Sequence, residues 1–275
     1  MKEGDLSKRV KTGVIGGAAL LLLLIFGGRI GGALIGVIMS IGMLSEFIDM
    51  TFTLSDKPEK KFVMLGTAWL VAFINFWMPR AEFELLLIVM MGLFAYYLFT
   101  VPRHKAQWEL QAHFKELMAA VFGTLYLMFL PLFFPLIHDS VHGTKWAAVF
   151  LLVVWMGDTG AYFIGRKYGE RKLYPLISPK KTVEGALGGL GAGLVVTLLS
   201  KAVFFRAMPW GAVFIIPVFV GAFAQLGDLC ESFLKRAYEK KDSGSILPGH
   251  GGFLDRFDGV VLGLPVMYAC MRLFG

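Results

Sequence analysis

Nine long apolar runs divide the chain, and they constrain its fold more than any other feature. They lie at about 13–28, 31–50, 62–79, 83–101, 117–137, 144–165, 183–204, 210–231 and 259–274. A helix that crosses the hydrocarbon layer needs roughly 20 apolar residues. Lipid offers no partner to backbone N–H and C=O groups, so runs of this length resolve as helices that close their own hydrogen bonds. The expected fold is an all-α, polytopic integral membrane protein with about nine transmembrane helices, built as a single membrane domain over 1–275. Only 17% of the residues are charged, against roughly 25% in soluble domains. The first run is short and Arg29 follows at once, so runs one and two are expected either as two spans or as one broken hairpin. The basic start, Met1 to Lys11, before Val14 to Phe26 has the first two parts of a secretion signal. No small-residue cleavage site follows, so it reads as an uncleaved first span.

The formal net charge of +7 would point to nucleic acid in a soluble protein. Here the basic residues sit in short loops between spans, where anionic headgroups and membrane topology explain them. Alternate segments 1–12, 51–62, 101–116, 166–182 and 232–258 hold 21 of the 27 Lys and Arg residues. By the positive-inside rule these segments face the cytosol, as does the N-terminus, while the C-terminus lies outside. The expected location is a bacterial cytoplasmic membrane. Cys230 and Cys270 lie in or beside apolar runs with no metal spacing and read as buried thiols. The stretch 102–116 reads as a short helix lying in the membrane interface, where anchoring is the plainer role and a lipid-headgroup role for His104 or His113 is the sharper one.

Acidic groups inside a membrane are costly and are candidates for function. Glu46 and Asp49 end the second span, where simple solvation accounts for them. Asp158 is harder to dismiss, lying about seven residues inside the cytosolic end of its span and so roughly 10 Å deep. Gly157, Asp158, Ala161, Tyr162 and Gly165 share one helical face, whose small residues permit close packing around the acid. On the eighth span Gln225, Asp228, Ser232 and Lys235 form a polar stripe, and Glu231 closes the same span. A structural polar seam between helices is the bland account of that stripe. All of these acids gather at the cytosolic side.

The run 232–258 is unlike membrane filler, with five Lys/Arg, four acidic residues, four glycines and His250 in 27 positions. Carboxylates that hold a divalent cation, cations that hold phosphate oxygens and glycines that admit a ligand to the backbone point to polyphosphate chemistry. Asp228 with Asp255 would hold Mg²⁺, since such sites use one or two carboxylates and leave the rest to water and phosphate. Asp255 and Asp258, three apart, share a face if the chain is helical from Phe253. Before the seventh span, Ser178 or Thr182 caps a helix whose N-terminus, with Lys180 and Lys181, would attract phosphate. Ordinary anchoring explains those two lysines equally well.

The pattern Ser232-x-x-Lys235-Arg236, Lys241-Asp242, then Pro248-x-His250-Gly251-Gly252-x-x-Asp255-Arg256-x-Asp258 resembles the signature of phosphatidate cytidylyltransferases. Gly157-Asp158-Thr159-Gly160-Ala161-Tyr162 and Ser178-Pro179-Lys180-Lys181-Thr182-Val183-Glu184-Gly185 resemble the same family. The resemblance covers 155–259, so residues 117–275 are expected to carry the catalytic motifs and 1–116 to serve mainly as scaffold. It implies a dimeric membrane enzyme of phospholipid biosynthesis that uses CTP, phosphatidate and Mg²⁺, with a second cation such as K⁺ at most. Under that implication Asp228, Asp255, Lys235 and Arg256 are catalytic, and Asp158 and Glu231 join Asp228 and Asp255 around metal. Ser232, Arg236, Lys241, Asp242, His250, Gly251, Gly252, Lys167, Lys180 and Lys181 would bind the two phosphate-bearing substrates. An ion transporter is the non-enzyme alternative, but it leaves a one-sided cluster of cations and glycines unexplained. A CTP-dependent lipid-alcohol kinase is the other enzyme class.

Overall fold

The structure, a computed structural model, describes residues 3–78, 81–244 and 251–274, with side chains from residue 15 onward. It is almost entirely helical. The elements are α1 (Glu3–Phe26), α2 (Gly28–Thr51), α3 (Lys57–Trp77), α4 (Glu82–Thr100), α5 (Gln107–Gly123), α6 (Phe133–His138), α7 (Gly143–Tyr168), β1 (Lys172–Tyr174), β2 (Ser178–Thr182), α8 (Val183–Val203), α9 (Trp210–Ala237) and α10 (Leu254–Phe274). Among the described residues, every predicted run falls largely in helix. Among the described residues, seven stretches are long and apolar enough to cross a membrane, and α1 and α3 are the two predicted spans outside that set. The apolar part of α1 covers only Ile15–Phe26, and the first turns of α3 carry Lys57, Glu59, Lys60 and Lys61. α1 and α2 are separate helices, broken at Gly27 and at Gly28, whose φ of +52° no continuing helix adopts.

The expected interfacial helix over 102–116 is not a separate element. Residues from Gln107 begin a long span that runs to His138. Within it, α5 passes through a wide π turn (Thr124–Phe129) and a 3₁₀ turn (Leu130–Leu132) into α6. Pro131 lacks the N–H that would continue the ladder, and a distorted turn just upstream is the usual accommodation.

α2 is the central helix and touches α3, α6 and α10. Met43, Leu44, Phe47 and Ile48 of α2 are buried with Phe150 of α7, Ile216 of α9 and Val261 of α10. Since lipid is as apolar as these side chains, close van der Waals contact rather than water exclusion holds the helices together. α7 packs along α8 through the small-residue face read from the sequence: a Cβ on Gly165 would lie 3.3 Å from Gly185 Cα, and one on Gly189 would lie 2.9 Å from Gly157 O.

The loop before α8 contains a feature absent from the sequence reading, a short antiparallel hairpin that pairs Lys172 with Thr182 and Tyr174 with Ser178. Ser178 is thus a strand residue, and Thr182 is the cap: its Oγ1 accepts from Gly185 N at 3.1 Å. Glu184 closes the hairpin base, accepting from Glu170 N at 3.1 Å and Arg171 N at 3.2 Å. Thr182→Ala is expected to lower stability by about 1 kcal/mol, as loss of such a cap does, and Thr182→Ser to retain it. Thermal unfolding of the two variants in detergent checks this.

Candidate active site

The carboxyl ends of α7 and α9, the amino ends of α8 and α10, and the last turns of α2 meet at one end of the bundle. Two polar clusters form there along α9. In the first, Lys181 Nζ of β2 lies 2.5 Å from Asp228 Oδ2. Ser232, one turn further along α9, donates its hydroxyl to Asp228 Oδ1 at 3.4 Å. Asp158 of α7 and Asp258 of α10 are close enough to Asp228 to act on it and to feel Lys181. The approach of α10 depends on Gly227: a Cβ there would run into the backbone oxygen of Asp258. Three helices thus each contribute one carboxylate, and the ammonium of Lys181 pairs with that of Asp228.

The second cluster lies two turns along α9. Lys235 Nζ stands 2.7 Å from Glu231 Oε2 and 2.6 Å from Asp255 Oδ1. The other oxygen of Asp255 accepts from the amides of Ser243 at 3.1 Å and Gly252 at 2.9 Å. Asp255 therefore ties together the two described ends of the glycine-rich loop. Glu46 of α2 completes the anchor, accepting from Ser243 Oγ at 2.9 Å and Leu254 N at 3.0 Å. No Cβ fits on Gly252, where it would meet Ser243 Oγ, Glu46 Oε2 at 2.6 Å and Gly244 N at 2.7 Å.

The remaining predicted residues are spread around this end. Arg236 donates from Nε to Ile177 O at 3.5 Å and so docks the hairpin onto α9. Lys167 is exposed, its ammonium 5.0 Å from the ring centre of Tyr168. Lys180, Lys241, Asp242 and Arg256 are exposed around the clusters, and Gly251 precedes Gly252 with a φ of +81°. His250 lies outside the described residues, as do Pro248 and Gly249 of the same signature.

Residues 7–274 match the cytidylyltransferase family. The chain belongs to that family. Among its relatives, the phosphatidate cytidylyltransferase of Bacillus subtilis is 33% identical over 276 residues, covering 98% of this chain and 99% of the relative. The phosphatidate cytidylyltransferase of Staphylococcus saprophyticus is 44% identical over 152 residues, 54% of this chain and 58% of that protein. That of Staphylococcus haemolyticus is 47% identical over 130 residues, 47% and 48% of the two chains. The chain is therefore a membrane-embedded enzyme of the cytidylyltransferase family.

For such an enzyme the all-oxygen donor set of Asp158, Asp228 and Asp258 suits a hard divalent cation. Carboxylate oxygens are the donors such a hard cation takes. Among the described residues these carboxylates do not close to a cage within 4.8 Å, which leaves room for the waters and phosphate oxygens that Mg²⁺ retains. Asp255 and Glu231, read from the sequence as metal ligands, instead hold Lys235 here. The amide of Gly252, expected to face phosphate, is taken by Asp255.

Two participants escaped the sequence reading. Asp258 was noted for sharing a face with Asp255 and for closing the signature, and was given no role. Glu46 was assigned to solvent, yet it is 2% exposed, whereas its neighbour Asp49 is half exposed beside Lys57 and Lys61. Its only signal was an acid within an apolar run, and nothing local reveals that its partners lie 197 and 208 positions away. Glu46→Ala is expected to free the segment 243–252, so that limited proteolysis cuts there several-fold faster than in the unaltered chain while the helical content by circular dichroism is unchanged.

Proposed function

We propose that this chain transfers the cytidylyl group of CTP to phosphatidate, giving CDP-diacylglycerol and pyrophosphate. The observation that carries the reading is the relative from Bacillus subtilis, a phosphatidate cytidylyltransferase matched over 98% of this chain. The geometry supports it, since cation and carboxylate clusters adjoin at one end of the bundle. The Lys/Arg distribution turns that end to the cytosol of a bacterial cell, where CTP is available.

An oxygen of the phosphatidate phosphate forms a bond to the α-phosphorus of CTP, and the bond from that phosphorus to the bridging β-phosphate oxygen breaks in line. The electron pair leaves with pyrophosphate. The nucleophile is already anionic, so no activated Ser or Cys is required, and the protein's task is positioning and charge neutralisation. Asp228, Asp158 and Asp258 would hold Mg²⁺, which would supply neutralisation of charge on the phosphates. Ser232 keeps Asp228 oriented. Lys181 is the mobile counter-charge of that cluster and turns to a phosphate oxygen when substrate enters. Lys235 is fixed between Glu231 and Asp255, and a second cation such as K⁺ could join Mg²⁺. Arg256, Arg236, Lys241 and Lys180 line the approach of the two anions, with Lys167 further out.

Purified protein given phosphatidate, Mg²⁺ and CTP labelled in the cytosine ring is expected to place label in lipid, with one pyrophosphate released per lipid labelled. Label transferred only from the γ-phosphate would instead identify a lipid kinase. Asp228→Asn is expected to lower turnover on the order of 10²-fold or more, the scale seen when a group acting on developing charge is removed. Membrane insertion should be unchanged. Near-normal turnover of that variant at saturating Mg²⁺ would refute the assignment of Asp228.

A further inference from the structure

A second polar cluster lies in the N-terminal half, away from the catalytic residues. Lys60 of α3 is fully buried, and its Nζ reaches Glu116 Oε2 at 2.6 Å, Asp56 Oδ1 at 2.8 Å and His113 Nδ1 at 3.2 Å. Glu116 Oε1 accepts from the amides of Thr53 at 2.6 Å and Leu54 at 2.8 Å, which pins the turn between α2 and α3. His113 Nε2 donates to Tyr97 O of α4 at 2.9 Å. That bond fixes the tautomer, so Nδ1 carries a lone pair and faces inward. His104, in the connection between α4 and α5, brings its Nε2 to 3.0 Å from His113 Nδ1 and 3.8 Å from Asp56 Oδ2. Asp56 Oδ2 is buried and has no hydrogen-bond donor.

Three further observations bear on what this cluster holds. The ligand atoms of Asp56, His104 and His113 all lie within 4.8 Å of one another. Tetrahedral coordination with bonds of about 2.0–2.2 Å requires ligand atoms about 3.3–3.6 Å apart, and the 3.0 and 3.8 Å separations bracket that edge. Second, Asp56 Oδ2 is a buried carboxylate oxygen with no hydrogen-bond donor, and a buried polar atom left without a partner is costly. Third, His113 already has the outer hydrogen bond, ring N–H to a backbone carbonyl, that orients a metal-ligating imidazole.

We propose that Asp56 Oδ2, His104 Nε2 and His113 Nδ1 bind a divalent transition metal ion of the Zn²⁺ type. Two imidazole nitrogens and one carboxylate select such an ion over Mg²⁺. Lys60 yields the lone pair of His113 and keeps Glu116 and Asp56 Oδ1. The ion clamps the start of α3, the α4–α5 connection and α5 together at the same end as the catalytic site, and takes no part in the transfer.

The test uses the full chain in detergent, without an affinity tag, stripped with chelator and kept in excess Mg²⁺ so that all-oxygen sites are filled. After Zn²⁺ addition and gel filtration, elemental analysis is expected to find one Zn²⁺ per chain, and thermal unfolding is expected to move upward. His104→Ala is expected to lose the bound Zn²⁺ and the thermal shift while cytidylyl transfer continues. Substitution of Co²⁺ in the unaltered chain provides a measurement independent of how any variant folds. Intense visible absorption of four-coordinate Co²⁺ supports the site, and its absence overturns it. Zn²⁺ retention that is negligible in the unaltered chain, or equal in His104→Ala, also overturns it.

Discussion

The ammonium of Lys235 between Glu231 and Asp255 is the interaction on which the candidate active site depends. Glu231 is 1% exposed and Lys235 only 15%. Charges at such depth persist only when paired. Pairing draws the first turn of α10 onto the last turns of α9, and the second oxygen of Asp255 then gathers the amides of Ser243 and Gly252. Glu46 adds α2, the helix most central in the bundle, to the same anchor. The glycine-rich segment is thus fixed at both described ends by two carboxylates from different helices.

The helix α9 sets the spacing of the site. Asp228 and Lys235 are seven residues apart on one face, about 10.5 Å along the axis at 1.5 Å per residue. Ser232 and Glu231 fill the turn between them. The cluster of Asp228, Ser232 and Lys181 thus lies deeper in the bundle, and that of Lys235, Glu231 and Asp255 nearer its end. The hairpin of β1 and β2 delivers Lys181 to the deeper cluster and is itself held by Arg236.

The membrane architecture was legible because the length of an apolar run is itself a physical requirement of crossing lipid. The polar stripe of α9 was legible because i, i+3 and i, i+4 spacing places residues on one face whatever surrounds them. What escaped depends on contacts distant in sequence. The hairpin is three and five residues long and has no apolar alternation to announce it. Glu46 and Asp49 look alike in sequence, and only the fold turns one to the loop and the other to Lys57 and Lys61. The spacing of Asp255 and Asp258 showed a shared face, but not that Asp258 would approach Asp228 while Asp255 would be held by Lys235. The segment 102–116 looked interfacial because the burial of two of its polar residues was not visible: His113 and Glu116 meet Lys60 of α3 inside the bundle.

Which carboxylates take the metal is the most direct question to put to this arrangement. Crystals grown with Mn²⁺ in place of Mg²⁺ and with a non-hydrolysable CTP analogue would locate the ion by its anomalous scattering. The predicted peak lies among Asp158, Asp228 and Asp258, with Lys235 still bridging Glu231 and Asp255. A peak bound by Asp255 and Glu231, with Asp228 left on Lys181, would contradict the account.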